Sequence, residues 1–275
     1  MPRVTGLFIY PVKSLRGYAV PAAEIDELGL VGDRRFLVVD AAGRFLTQRA
    51  VPRMACVDAR LSATALVLST ESADPMSVPT ASDPGAPLRP VSVWKSEGLL
   101  AEDCGGTVSA WLSDFLGLKC HLVRIGPRFS RPVLKASARA GDLVTFADAY
   151  PFLIISEASL ADLNDRIQEN HGEPVPMDRF RPNIVVDGCD AYTEDTWARI
   201  RIGDAIFRNG GPCARCIITT TDQITGERGK EPLKTLATFR RAPADPTDVN
   251  FGTNLIHETK RSSIRVGAEV VSCPA

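Results

Sequence analysis

Long apolar runs are missing from this 275-residue chain; none approaches the ~20 residues that a helix needs to span a bilayer. Charge of one sign is missing too, since 32 Lys and Arg face 33 Asp and Glu for a formal net charge of -1. Without an overall field there is nothing to draw in nucleic acid or an anionic membrane, so any anion site must be a local cluster. Histidine is scarce, with only His121, His171 and His257, which leaves little material for a histidine-rich zinc or iron centre. The seven cysteines (56, 104, 120, 189, 213, 216 and 273) form an odd, scattered set with one close pair. That pattern is not a disulfide framework, which a chain of this size does not need. The start of the chain lacks a secretory signal, because Val4–Tyr10 is short and broken by Thr5 and Gly6. A reducing cytoplasm is therefore the expected compartment, and thiolate is the ligand to look for if a metal is held.

What is present reads as short strands with a few helices. Val4–Tyr10 is expected as a strand ended by Pro11, and residues 35–40 and 44–48 as a tight hairpin turning at Gly43. Cys56–Leu61, Ala65–Ser69 and Val91–Trp94 extend the strand pattern, while residues 71–90, rich in Ser, Pro, Asp and Ala, read as a surface loop. Thr107 is placed to cap a helix carrying Val108, Trp111, Leu112, Phe115 and Leu116. A second helix opens at Ser156 and buries Leu160, Leu163 and Ile167. Strands are expected at Leu143–Phe146, Phe152–Ile155 and Ile184–Val186. The stretches 200–207 and 264–271 each suggest two strands meeting at a glycine turn, as in small closed barrels. The basic run Arg128, Arg131, Lys135 and Arg139 reads as a solvated loop. The expected fold class is mostly β with some helix (α+β), in two linked lobes.

The chemistry-bearing sequence is Cys213-Ala214-Arg215-Cys216. A lone C-x-x-C leaves a redox dithiol, a structural zinc, another metal or two incidental thiols open. The β-branched run after Cys216 is expected to be a strand, which denies the thiol the help of a helix N-terminus. No second Cys or His pair stands ready for zinc. Arg215 beside Cys216 favours thiolate, the form that ligates a soft metal. Lys13-Ser14, Asp33-Arg34-Arg35 and Phe180-Arg181-Pro182-Asn183 each lie beside strand ends and offer cationic or planar donors suited to phosphate or a flat heterocycle. Spacing alone does not show whether they converge.

Taken in order, Tyr10-Pro11-Val12-Lys13-Ser14, Gly32-Asp33-Arg34-Arg35, Phe45-Leu46-Thr47-Gln48-Arg49, Phe180-Arg181-Pro182-Asn183 and Cys213-Ala214-Arg215-Cys216 resemble the MOSC-domain proteins that carry an N-terminal MOSC β-barrel domain. This group contains the mitochondrial amidoxime-reducing component and its bacterial relatives. The resemblance runs from about residue 4 to 271 and includes the long stretches 151–164 and 188–197. It implies a β-barrel-like domain over residues 1–125, a MOSC β-barrel domain over 126–275 and a cofactor cleft between them.

The resemblance further implies a molybdenum cofactor (Mo-molybdopterin), whose pterin dithiolene holds the metal together with one protein thiolate. By match to the motif, Cys216 is that metal ligand and the catalytic residue. Lys13, Ser14 and Arg34 match positions that hold the phosphate end, Arg181 and Asn183 match pterin contacts, and Arg215 adjoins the ligand. The segment Asp148-Ala149-Tyr150 before Pro151 matches another cofactor contact, with Tyr150 as its candidate residue, although relatives carry small hydroxyl residues there. The implied activity is reduction of N-hydroxylated compounds (amidoximes, hydroxylamines, N-hydroxylated bases). Electrons would come from a separate ferredoxin-like or cytochrome-b5-like reductase, because the chain shows neither an appended iron–sulfur domain nor an apolar N-terminal anchor. Neither nucleic acid nor membrane is an expected partner. A cofactor carrier without turnover is the rival reading, and sulfur transfer a more distant one.

Overall fold

The computed structural model describes residues 1–274. The protein is mostly β with some helix, as expected. Its largest sheet has eight strands, in the order Val270–Cys273, Arg199–Ile202, Ala205–Arg215, Val249–His257, Phe152–Ser156, Ile184–Asp187, Arg3–Ile9 and Tyr18–Ala19. Every neighbouring pair is antiparallel except Phe152–Ser156 with Ile184–Asp187. A parallel pair needs a crossover, and the helix Glu157–Glu169 supplies it. Ser156 caps that helix, its hydroxyl accepting from the Ser159 N–H at 3.0 Å, a contact worth about 1 kcal/mol. Leu163 and Ile167 are fully buried on its inner face.

The middle of this sheet is covered on both faces, which explains why Phe152–Ser156 reads as a continuous apolar run instead of alternating. On one face Phe152, Ile154, Phe207 and Leu255 pack with Leu7 and Ile184. On the other, Leu153, Ile155 and Phe251 meet the helix 157–169 and the short helix Leu233–Phe239.

The remaining strands form a four-stranded sheet (Phe36–Val39, His121–Arg124, Ser96–Asp103, Leu88–Val93) and two three-stranded ones. One of the latter joins Asp58–Leu61, Ala65–Thr70 and Ala73–Pro79, and shares a core with the helix Gly106–Leu116. The other pairs Ala22–Asp26 with Ser262–Arg265, so an early strand is sewn to one from the far end of the chain. At Tyr10-Pro11 the chain makes a short excursion that buries Val12 and Leu15 in the other core; it leaves after Leu30 and returns through residues 126–150. On that return Phe146 packs with Leu37 and Val123, while Val144 and Tyr150 pack with Ile256. The connections at both crossings lie where the two cores face each other.

Several local expectations fail for identifiable reasons. Residues 73–79 form a strand rather than a loop, because only Met76 and Val78 of this edge segment turn inward and the apolar signal is sparse. Gly105, at φ +101, precedes the helix 106–116, so Thr107 lies inside it and does not cap it. Leu143–Phe146 makes a single bridge, Leu143 to Pro132, although Val144 and Phe146 are core residues. Residues 200–207 do form a hairpin, whereas Ser262–Arg265 and Val270–Cys273 join different sheets after Gly267. The turn at Gly43 does need glycine: φ is +78 and an added Cβ would lie 2.2 Å from the Pro90 carbonyl oxygen. Only Phe45 bridges back to Val39, however, so the hairpin is incomplete. Among the described residues no helix is long and apolar enough to cross a membrane.

Candidate functional site

Where the two cores face each other, a cleft of about 400 Å³ is lined by Lys13, Ser14, Arg34, Tyr150, Arg181, Asn183, Arg215 and Cys216. All eight residues singled out from the sequence thus converge, although they are spread over some two hundred positions.

The floor of the cleft is built on Tyr10, the last residue before the chain crosses over. Two guanidinium groups contact its ring, with Arg34 at 4.3 Å and Arg181 at 4.4 Å from the centroid. Its hydroxyl donates to the Pro182 carbonyl at 3.0 Å, and burial pushes its pKa above the ordinary value, so it remains a neutral phenol. Both arginines occupy left-handed backbone positions, φ +48 at Arg34 and +56 at Arg181, which bulky residues seldom adopt. Arg34 is fixed by Asp33 Oδ2 at 2.7 Å and Asn183 Oδ1 at 3.0 Å. Arg181 donates to the Leu15 carbonyl at 2.8 Å, and burial lowers its pKa to about 10. Asn183 also sends its amide to the Phe8 carbonyl at 3.2 Å. These contacts tie the start of the chain to the segment 180–183.

One wall is Lys13-Ser14. Burial lowers the Lys13 pKa to about 8, against the pull of Asp148, whose carboxylate it pairs with. Ser14 is left-handed at φ +66, and its carbonyl accepts from Gln48 Nε2 at 2.9 Å. Asp148 also accepts from Arg49 at 3.3 Å and from the Trp94 indole at 3.0 Å. Partial loss of solvent opposes ionisation of the half-exposed Asp148, but the charges of Lys13 and Arg49 prevail and hold its carboxyl well below the usual carboxylate range. Arg131, expected in a solvated loop, is instead buried and donates to the carbonyls of Thr145, Ala147 and Asp148, pinning the segment that presents Asp148. Tyr150 shares a 2.9 Å hydrogen bond with Ser137, which in turn donates to the Gly210 carbonyl. Gly210 must lack a side chain, since a Cβ would meet the Tyr150 ring at 2.6 Å.

The opposite wall carries the C-x-x-C. Arg215 donates to Cys213 Sγ at 2.9 Å and to the Phe180 carbonyl at 2.6 Å. Cys216 sits half-buried just before a single 3₁₀ turn, Ile217–Thr220, where a strand was expected; the turn is held by the Thr219 and Thr220 hydroxyls. Among the described residues Cys216 Sγ makes no hydrogen bond, and no group of three or more His, Cys, Asp or Glu is placed to hold a metal. The site therefore offers a metal one unengaged thiol rather than a protein cage, which disfavours structural zinc.

The cleft's charge is lopsided. Lys13, Arg34, Arg49, Lys135, Arg181 and Arg215 line it, against Asp148 as the one carboxylate among the lining residues. Two buried guanidinium nitrogens, Arg49 Nη1 and Arg215 Nε, have no hydrogen-bond partner. Unmatched buried charge is costly, so the arrangement fits an anionic ligand bearing several acceptors, with a soft metal within reach of Cys216. The sequence alone assigns no role to Tyr10, Arg49 or Trp94, and marks Asp148 only through the segment before Pro151. Tyr10 and Arg49 lie inside the motifs quoted above, which was a usable signal; Trp94 gave none.

Residues 1–119 match the family described as the MOSC N-terminal beta barrel domain, and residues 142–271 match the MOSC domain. Mitochondrial amidoxime-reducing component 1 of Mus musculus is 38% identical over 255 residues, which cover 89% of this chain and 73% of that protein. A molybdenum cofactor sulfurase of Danio rerio is 30% identical over 291 residues, covering 98% of this chain and 34% of that protein. Among solved structures, the YuaD protein of Bacillus subtilis aligns over 98% of this chain and 94% of its own, at 14% identity and a TM-score of 0.42.

Proposed function

The chain belongs to the family of MOSC-domain proteins with an N-terminal MOSC β-barrel domain, and from that premise we propose that it is a molybdenum-cofactor-dependent reductase of N-hydroxylated compounds. The observation that carries the proposal is the pairing of one unengaged thiol, Cys216, with a cluster of enclosed cations in the same cleft. Lys13, Ser14 and Arg34 would hold the phosphate end of the cofactor, Arg181 and Asn183 its pterin, and Cys216 the metal. When bound, the cofactor supplies the two-electron redox chemistry.

The chain's own residues do the rest. The Lys13 ammonium and the Arg34 guanidinium would neutralise the phosphate, whose burial without partners would cost several kcal/mol, while Arg181 would meet the pterin. Tyr10 keeps both guanidinium planes in place, so the binding groups need not reorganise. Arg215 supplies positive charge beside the thiolate. In the net reaction the N–O bond of an amidoxime breaks, two electrons and two protons are consumed, and an amidine and water leave. The electrons come from a separate redox protein, and a reducing cytoplasm keeps the thiol free.

The experiment is reduction of an amidoxime with an artificial electron donor, with molybdenum content measured alongside, in wild type and Cys216→Ala. The proposal expects loss of turnover and of most of the metal in the variant. Equal metal and equal rates in the two proteins refute it. Metal without turnover in wild type would instead favour a carrier of the cofactor.

A further inference from the structure

A second cavity of about 370 Å³ adjoins the cleft and shares Arg49, Lys135, Asp148 and Ala149 with it. Its character differs from that of the cleft. Trp94 and Leu134 form its apolar surface, and they stand 48% and 60% exposed. Large apolar side chains left open around a concavity mark a place where something apolar docks.

Trp94 is held in this position deliberately. It lies in the turn after the strand Leu88–Val93, at φ +55, a left-handed backbone where Gly or Asn would sit at less cost. The orientation of its ring is fixed three ways. The indole N–H donates to Asp148 Oδ1 at 3.0 Å, the Arg49 guanidinium covers the ring at 4.6 Å, and Phe45 meets it edge-on at 5.1 Å. A strained backbone over-determined by its surroundings is typical of a residue placed for contact with a ligand.

The charge of the cavity has one sign. Arg49, Lys95, Arg131 and Lys135 line it against the single carboxylate of Asp148. That carboxylate is already engaged by Lys13, Arg49 and Trp94. Arg131 has its hydrogen bonds met by backbone carbonyls, which satisfy its donors but leave its charge unopposed. Lys95 and Lys135 are exposed and form no ion pair among the described residues. An anion entering the cavity would meet two free ammonium groups; a cation would be repelled by four positive charges.

We propose that this annex is a ligand site in its own right and takes a flat aromatic ring carrying an anionic group, the ring against Trp94 and Leu134 and the anion at Lys95 and Lys135. The annex touches the side of the cleft that carries Lys13 and Asp148, not the side that carries Cys216, so the proposal goes beyond the reductase reading and does not depend on it. Trp94 and the two lysines are its recognition residues.

The test compares benzoate, benzamide and benzamidinium, one ring carrying negative, zero and positive charge, by calorimetric titration of the protein as purified. Benzoate is expected to bind more tightly than benzamide by roughly three- to tenfold, the size of two exposed charge contacts, and benzamidinium more weakly than either. Lys95→Ala/Lys135→Ala should erase the difference between benzoate and benzamide. Trp94→Leu should weaken benzoate and benzamide alike, by about two- to tenfold. Both lysines are exposed, so the double variant keeps the proposal testable even if Trp94→Leu misfolds. Equal binding of benzoate and benzamide to wild type, or benzoate binding unchanged in the double variant, overturns the proposal. Because these titrations need neither metal nor turnover, their failure leaves the Cys216 experiment untouched, and failure of that experiment leaves them standing.

Discussion

Arg34 Nη1 donates to Asn183 Oδ1 across 3.0 Å, joining residues 149 positions apart at the floor of the cleft. The ring of Tyr10 contacts both guanidiniums of the floor, that of Arg34 and that of Arg181. Tyr10→Leu should therefore disorder both guanidiniums and cost about 2–4 kcal/mol of stability, in line with loss of a buried ring. Tyr10→Phe keeps the ring and loses only the bond to the Pro182 carbonyl, costing about 1 kcal/mol. Urea unfolding of the two variants checks the ordering, and equal losses would contradict it.

Lys13 links the cleft to pH. Burial lowers its pKa from 10.5 to about 8, so its charge is lost as pH rises through 8. Between those values the unfolded chain holds the proton more tightly, so the Lys13 contribution to stability grows with pH in this window. Anion binding moves the opposite way: affinity for inorganic phosphate should fall between pH 7 and 9. Lys13→Arg, charged throughout, should flatten that fall when phosphate is titrated at both pH values.

Asp148 occupies part of the positive field with a charge of its own. Asp148→Asn frees Lys13 and Arg49 from their shared partner. Phosphate binding at low salt should then tighten by several-fold, an advantage that screening removes as salt is raised. Weaker phosphate binding in the variant would show instead that the carboxylate mainly positions the cations.

Seven of the eight candidate residues lie in compact motifs with donors suited to phosphate, a heterocycle or a metal, Tyr150 follows only from the family resemblance, and all eight line one cleft. The strand-rich class was legible from apolar runs such as Phe152–Ile155. What escaped were features decided by tertiary contacts. Arg131 reads as one more cation in a basic loop, yet three carbonyls reached by folding bury it. The β-branched residues after Cys216 favour a strand locally, but the Thr219 and Thr220 hydroxyls close a 3₁₀ turn on the carbonyls of Cys216 and Ile217. Trp94 ends a strand in a left-handed turn that no propensity for tryptophan suggests. The edge strand 73–79 buries too little to leave a periodic trace.

His257 makes the fold sensitive to acid. Burial, aided by Lys260, lowers its pKa from 6.5 to about 4, with Nε2 at 2.8 Å from the Asp26 carbonyl. Between pH 6.5 and 4 the unfolded chain takes up this proton and the folded one does not, so stability falls as pH falls across that window. The loss should reach the order of 2 kcal/mol. His257→Gln, which can still donate to Asp26, should show a shallower decline when unfolding is followed at pH 7 and pH 4.5.

The most direct measurement is the X-ray absorption spectrum at the molybdenum edge of the loaded protein, for wild type and Cys216→Ser. Loss of one sulfur neighbour from the metal in the variant is the result expected if Cys216 is the ligand. An identical sulfur shell in both proteins, or no molybdenum in wild type expressed where the cofactor is made, would contradict it.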